Sequence, residues 1–181
     1  MDEKLRLVEL SDAMEEAFLD LRREMVEGGK TTLAGPLWKP YERFGEHVER
    51  LKGFSEGRGL PEGWVPGTYY FLVNGRGRIL GVTNLRHRLN DHLLKQGGHI
   101  GYFVRPSERR KGYATKMCAM ALEKARKRGI HRMLITCDRD NAASARVIIK
   151  NGGVLENEVP MENGRMKQRY WVDLRHEPPD G

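Results

Sequence analysis

Seven residues in the middle of the chain, Arg109-Arg110-Lys111-Gly112-Tyr113-Ala114-Thr115, put three cations and a glycine directly ahead of a helical pattern. The first turn of a helix leaves backbone N–H groups without intrahelical partners, and the aligned peptide dipoles add positive potential there. A glycine has no Cβ, so a phosphate can approach the main chain closely. The chemistry this spacing supports is capture of a diphosphate mainly by backbone, with Arg109, Arg110 and Lys111 strengthening the field. A charged helix start in which Gly112 only eases the turn would look the same in isolation, so the flanking elements have to decide.

Those elements are legible. Ile100 to Val104 is an apolar strand ended by Arg105-Pro106, because proline lacks an N–H and disfavours helix at the residue before it. After the cationic turn, Lys111 to Arg128 reads as a helix. Ala114, Met117, Cys118, Ala121, Leu122 and Ala125 form its apolar stripe, while Lys116, Lys124 and Lys127 point away. Met133 to Cys137 is a buried strand, Ala142 to Lys150 a second helix, and Gly152-Gly153 its stop.

Upstream, Leu5 to Leu10 is a short strand, and Ser11 or Asp12 caps a helix running to about Glu27. A second helical pattern spans Leu37 to about Lys52, and the Gly/Pro-rich stretch Gly53 to Gly67 reads as a surface loop. Thr68 to Val73 and Ile79 to Leu85 form a hairpin around Asn74-Gly75-Arg76-Gly77. The spacing of Gly75, Gly77 and Gly81 is not that of a dinucleotide loop, and no helix follows it. Val154 to Val159 and Gln168 to Leu174 form a closing hairpin. Residues 1–175 make one domain, followed by a frayed tail, 176–181.

Composition narrows the partner. With 181 residues and a net charge of +7, the chain suits an anionic ligand. The basic residues are mixed with acids along the chain, and no aromatic residues interleave with the basic cluster, so nucleic acid ranks last. The longest apolar run, Met117 to Leu122, is far short of the roughly 20 residues of a membrane span. No secretory signal pattern opens the chain, which points to the cytoplasm. Cys118 and Cys137 sit in apolar patterns without metal-ligand spacing, so neither zinc nor a disulfide is expected.

Val104-Arg105-Pro106 followed by Arg109-x-x-Gly112-x-Ala114, and then Asn141-x-x-Ser144 leading to Gly152, resembles the GNAT N-acetyltransferase superfamily. The resemblance is close from Ile79 to Val154. Leu85-Arg86-His87, Leu89-Asn90 and Gly97-Gly98-His99-Ile100-Gly101-Tyr102 further resemble a bacterial subgroup known chiefly as predicted acetyltransferases.

This resemblance implies an α/β fold with a mixed, strongly bent sheet of about seven strands and flanking helices. Its fourth and fifth strands splay to admit the pantetheine arm of acetyl-CoA. It implies that the main chain of Phe103 and Val104 binds that arm, that Arg109, Arg110, Lys111, Gly112, Tyr113, Ala114 and Thr115 hold the diphosphate, and that Asn141 and Ser144 face the arm. No metal takes part. The implied reaction is direct attack of an amine on the thioester in a ternary complex. The amine belongs to a small molecule, an amino acid or a protein, and the enzyme is a monomer or homodimer.

Many relatives carry a tyrosine general acid where this chain has Ile148. The proton for the thiolate then comes from Ser144, Tyr102 or water, or the thiolate leaves unaided. His99 and His87 are candidate bases acting through water, since an imidazole titrates near pH 6.5; Asp138 is a third. Cys137 has apolar neighbours that disfavour thiolate. Trp64, Tyr170 and Trp171 are read as core. The missing acid motivates a second reading, a non-catalytic acetyl-CoA sensor.

Overall fold

The computed structural model describes residues 4–28, 39 and 42–175. Seven strands and four α-helices follow one another as β1 (Arg6–Glu9), α1 (Glu15–Glu27), α2 (Phe44–Ser55), β2 (Gly67–Val73), β3 (Ile79–Arg86), β4 (Ile100–Val104), α3 (Tyr113–Lys127), β5 (Arg132–Asp138), α4 (Ala142–Lys150), β6 (Val154–Pro160) and β7 (Met166–Asp173). The strands form a four-stranded sheet, β1-β2-β3-β4, and a three-stranded sheet, β5-β7-β6, with every ladder antiparallel.

Hydrophobic burial explains the layers. All seven residues of β2 are buried, so that strand reads as continuously apolar rather than alternating. One face of its sheet packs Tyr69, Phe71, Val73, Ile79 and Val82 against Phe18, Leu21 and Met25 of α1 and Leu51 and Phe54 of α2. The other face packs Tyr70, Leu72, Leu80 and Leu85 against Met117, Ala121 and Ala125 of α3, and this core continues through Met133 and Ile135 of β5 to Ile148. α3 therefore joins the two sheets.

Three expectations shift. α2 runs through Gly53 to Ser55, so the loop is shorter than Gly53 to Gly67; buried Phe54 anchors the last turn against the core. The same helix begins at Phe44 rather than Leu37; Lys39, Glu42 and Arg43 are not helical, and Leu37 lies outside the described residues. A π-helical turn, Leu93–Gly97, precedes β4 where no element was expected. The tail 176–181 also lies outside the described residues.

Candidate active site

The two sheets touch where β4 and β5 begin to part. The His99 N–H donates to the Leu134 carbonyl at 2.7 Å, and the Leu134 N–H donates to His99 Nδ1 at 2.9 Å. Gly98, with φ 64°, makes this approach possible: a Cβ there would lie 2.6 Å from the Leu134 oxygen. Beyond the joint no ladder connects the strands. A cavity of about 640 Å³ opens in that direction.

Tyr102, Phe103 and Val104 of β4 form one wall of this cavity, and Asn141, Ser144, Arg146 and Lys150 of the α4 segment form another. The turn Arg109–Thr115 closes its end, with Lys111 absent from the lining. Gly112 is left-handed at φ 82°, and a Cβ placed on it would meet nothing within 4 Å. Arg110 shares the left-handed conformation at φ 61°, unusual outside glycine. The two bend the chain so that the first turn of α3 faces open space. Asn141 caps α4, its side-chain oxygen accepting the Ser144 N–H at 3.1 Å.

The cations sort into two kinds. Arg109 lies over the Phe103 ring at 5.6 Å and donates to the Val104 carbonyl at 3.3 Å. Lys111 is directed instead to Glu108, 2.8 Å away, and Arg78 reaches the same carboxylate at 3.2 Å. Those two cations hold the Glu108 carboxyl below its ordinary pKa. Arg105 is not part of the cradle at all. Its side chain is 3% exposed and pairs with Asp20 at 2.8 Å and with Glu24, tying α1 to the end of β4.

Proton-transfer candidates are placed unequally. His99 spends its Nδ1 lone pair on the Leu134 N–H, so in the neutral ring the other nitrogen carries the proton. Burial lowers its pKa to about 4. His99 is thus a fastener of the joint with no free lone pair for a base. His87 lines neither the cradle cavity nor the smaller one across β4; its Nε2 lies 2.8 Å from Thr68 Oγ1, and burial lowers its pKa to about 4 as well. Asp138 is held by Lys167 at 2.6 Å and Arg165 at 3.4 Å. Burial pushes the Cys137 thiol up, away from thiolate.

Ser144 and Tyr102 do face the cavity together. The Tyr102 hydroxyl is buried without a hydrogen bond of ordinary geometry, while Ser144 stands near enough to oppose the burial that pushes the phenol up to about 12. Ile148 is fully buried in the core and turned away from the cavity lining. Tyr170 is core, bonded to Gln168 at 2.8 Å. Trp171 bonds Glu156 and borders a larger hollow of about 750 Å³ between α3 and the second sheet. Four cations and three carboxylates line that hollow, and the C-terminal end of α4 rather than a helix N-terminus opens on it, so its greater size does not make it the diphosphate site. Trp64 is not core: it is 44% exposed and lines a separate cavity across β4.

The family model described as an Acetyltransferase (GNAT) domain matches residues 5–154. The chain belongs to the GNAT acetyltransferase family. Solved structures share the GNAT fold at low sequence identity. YncA from Salmonella typhimurium, solved with its cofactor acetyl-CoA, is 17% identical with a TM-score of 0.61, over 97% of this chain and 98% of that one. A Salmonella typhimurium acetyl transferase that modifies the N-terminal serine of the 50S ribosomal subunit protein L7/L12 is 19% identical with a TM-score of 0.63, covering 93% and 94%. A mutant of spermidine N-acetyltransferase SpeG from Vibrio cholerae is 14% identical with a TM-score of 0.61, covering 94% and 95%. A comparison with curated proteins finds no match.

Two cavity residues of this GNAT chain, Arg146 and Lys150, escaped the sequence reading. A signal was present, because Ala143, Arg146, Val147 and Lys150 fall at i, i+3, i+4 and i+7 on one helix face. The mixed character of the cations in Arg105–Lys111 had no such signal, since Asp20 and Glu24 lie some eighty residues earlier.

Proposed function

We propose that this GNAT acetyltransferase takes acetyl-CoA as cosubstrate and transfers the acetyl group to an amine by direct attack in a ternary complex. The observation that carries the proposal is the cavity between β4 and α4, closed at one end by the N-terminus of α3 with Gly112 facing open space. In the proposal the diphosphate rests on the main chain of Arg109–Thr115 with Arg109 and Arg110 beside it, and the pantetheine arm runs along Phe103 and Val104 past Asn141 and Ser144. The site is basic, and a helix N-terminus suits an anion.

Catalysis in this reading is mostly alignment. Holding amine and thioester together supplies the largest share of acceleration. The attacking amine becomes a strongly acidic ammonium as the tetrahedral adduct forms, so water suffices to take its proton and His99 serves as the fixed joint beside it. The departing thiolate is met by Ser144 and the Tyr102 hydroxyl. A phenol raised to about 12 can donate a hydrogen bond to sulfur but is a poorer proton source than the thiol it would create. Ser144 and water then complete the protonation.

Calorimetry with acetyl-CoA tests the cradle. Gly112→Glu places bulk and negative charge at the diphosphate, and affinity is expected to drop by about 100-fold, the consequence of a like charge in an anion site. Equal affinity for the variant and the natural protein would refute the cradle. The sensor reading, favoured by the buried Ile148, predicts saturable acetyl-CoA binding with no thiol release for any amine.

A further inference from the structure

A second cavity, about 420 Å³, lies across β4 from the acetyl-CoA cradle, and Gly101 lines it while the next residue, Tyr102, lines the cradle. Its other walls include Trp64, Tyr69, Asn84, Arg86 and His92. Among the described residues no carboxylate lines it. Consecutive residues of one strand therefore separate two hollows, so a ligand in the second lies one strand's width from the proposed thioester channel.

Arg86 gives this cavity its chemistry. The residue is half-buried, and burial lowers its pKa from the ordinary value. Nη1 donates to two main-chain carbonyls, Gly97 at 2.8 Å and Gly98 at 2.9 Å. Nε and Nη2 have no hydrogen bond to any described residue, and no described carboxylate pairs with the group. Nη2 lies 3.8 Å from where a Cβ would stand on Gly101, so the absent side chain leaves that edge clear. The Nε–Nη2 edge of arginine presents two parallel N–H donors matched to the two oxygens of a carboxylate.

The contrast with Arg105 sharpens the point. Arg105, more deeply buried, has two carboxylates, Asp20 and Glu24. A buried cation without a counter-ion is costly, and Arg86 has only carbonyl dipoles. We propose that Arg86 binds the carboxylate of the acceptor, so that the enzyme acetylates an amine that also bears a carboxylate, as an amino acid does. The proposal rests on the acetyl-transfer reading above. A polycation such as spermidine meets a like charge in this cavity and is disfavoured.

In the reaction the acceptor nitrogen forms a bond to the acetyl carbonyl carbon as the carbon–sulfur bond breaks, and its electron pair goes to sulfur. The nitrogen's proton passes to solvent and a proton is returned to the thiolate, giving an N-acetylated acid and coenzyme A. The carboxylate is unchanged and serves as the handle.

The test uses the L-amino acids, their carboxamides and spermidine as acceptors with saturating acetyl-CoA, scored by the mass of one added acetyl group. The free acids should react at least about tenfold faster than the carboxamides. Arg86→Gln should erase that preference by raising KM for the acids about 100-fold, the scale of losing a charged bidentate pair, with acetyl-CoA affinity unchanged. Arg86→Lys, which keeps the charge without the fork, should fall between and serves if Arg86→Gln fails to fold.

Equal rates on acids and carboxamides, a preference for spermidine, or a preference for acids that survives Arg86→Gln each overturn the proposal. So does the absence of any acetylated acid from enzyme that calorimetry shows to bind acetyl-CoA. Should acetyl-CoA itself fail to bind, the transfer reading fails, and tryptophan fluorescence decides the anion site separately. Titration with the same acids and carboxamides should change the emission for acids alone, and the response should vanish in Arg86→Gln and in Trp64→Phe. No difference between acids and carboxamides removes the site.

Discussion

The two sides of β4 handle positive charge in opposite ways. On the side of α1, Arg86 is half-buried and held by two main-chain carbonyls, and Arg105 is buried and held by two carboxylates. On the side of α3 and α4, Arg109, Arg110, Arg146 and Lys150 border an open cavity. Each side also keeps one buried polar atom without a hydrogen bond among the described residues, Asn84 Oδ1 on the first and Tyr102 Oη on the second. Buried charge requires exact placement by neighbours, whereas exposed cations around a helix N-terminus act as a field with a backbone core. One side is built to recognise a shape, the other to attract a charge.

The sharpest way to break this contrast is to remove a buried cation and look for loss of ligand rather than loss of fold. Arg105→Ala removes the group that joins α1 to the end of β4 and leaves Asp20 and Glu24 to Arg78 alone, which reaches them at 3.1 Å and 3.7 Å. The Ser107 N–H, which donates to Glu24 at 2.8 Å, remains as well. A stability loss of about 2–3 kcal/mol is expected, the scale of a lost charged hydrogen bond, because the carboxylates left behind keep Arg78 and are partly exposed. Urea unfolding gives that value, and calorimetry should show acetyl-CoA affinity within about twofold of the natural protein once the fold is secured at low temperature. A large loss of affinity with little change in the unfolding midpoint would place Arg105 in the cradle and dissolve the division between the two sides.

That division also explains what could be read from sequence. The cradle is local: strand, turn, glycine and helix follow within sixteen residues, so the helix-terminus argument applied directly to Arg109–Thr115, and the same stretch closes a cavity. Main-chain recognition needs only local geometry, which propensity and punctuation report. The fate of Arg105 was not legible, because its partners come from α1 and only the packing of α1 onto the sheet brings them near. Arg86 was quoted only as part of a motif, because its unpaired state depends on which carboxylates fail to reach it.

His99 failed as a base for a similar reason. It sits one residue before β4, and its lone pair is consumed by the N–H of Leu134, a residue thirty-five positions away. The buried strands, by contrast, were found within a residue or two at each end. The π-helical turn at Leu93–Gly97 was missed because its side chains, Leu93 and Leu94 beside Lys95 and Gln96, have no period that distinguishes it from a loop.

The joint between the two sides offers a second, smaller test. His99 has a pKa near 4 in the fold and an ordinary value of 6.5 when unfolded. Between those values the unfolded chain binds a proton that the folded chain refuses, so stability is complete above about pH 6.5 and declines as pH falls toward 4. Lowering the pH from 7 to 5 should cost on the order of 2 kcal/mol through this ring. His47 and His87, lowered to about 4 as well, add to the slope. His99→Gln should flatten the pH dependence by its own share while leaving that of the other two. Protonation would also sever the acceptor of the Leu134 N–H, so acid should loosen the β4–β5 joint and weaken ligands on both sides of β4 together. If the slope of stability with pH is the same in His99→Gln, the ring is already charged in the fold and the fastener role is wrong.

The smallest effect concerns the unbonded hydroxyl on the cradle side. Tyr102→Phe removes one buried oxygen that has no hydrogen bond of ordinary geometry and leaves the ring packed against the core. Relief of an unsatisfied buried donor should stabilise the protein by about 1 kcal/mol, the reverse of the usual sign for deleting a polar group. Catalysis should respond in the other direction and weakly. A hydroxyl raised to about 12 contributes a hydrogen bond to the departing sulfur, so kcat should fall by less than about tenfold with KM for acetyl-CoA unchanged. The two readouts are independent. A stability gain with unchanged kcat leaves the thiolate to depart on Ser144 and water alone. A drop in kcat of about 100-fold or more, on the scale of a lost general acid, would mean that the hydroxyl carries the proton and that the arriving thioester lowers its pKa well below 12. Loss of stability would show that the oxygen has a partner after all, and would remove the symmetry of the two orphan atoms flanking β4.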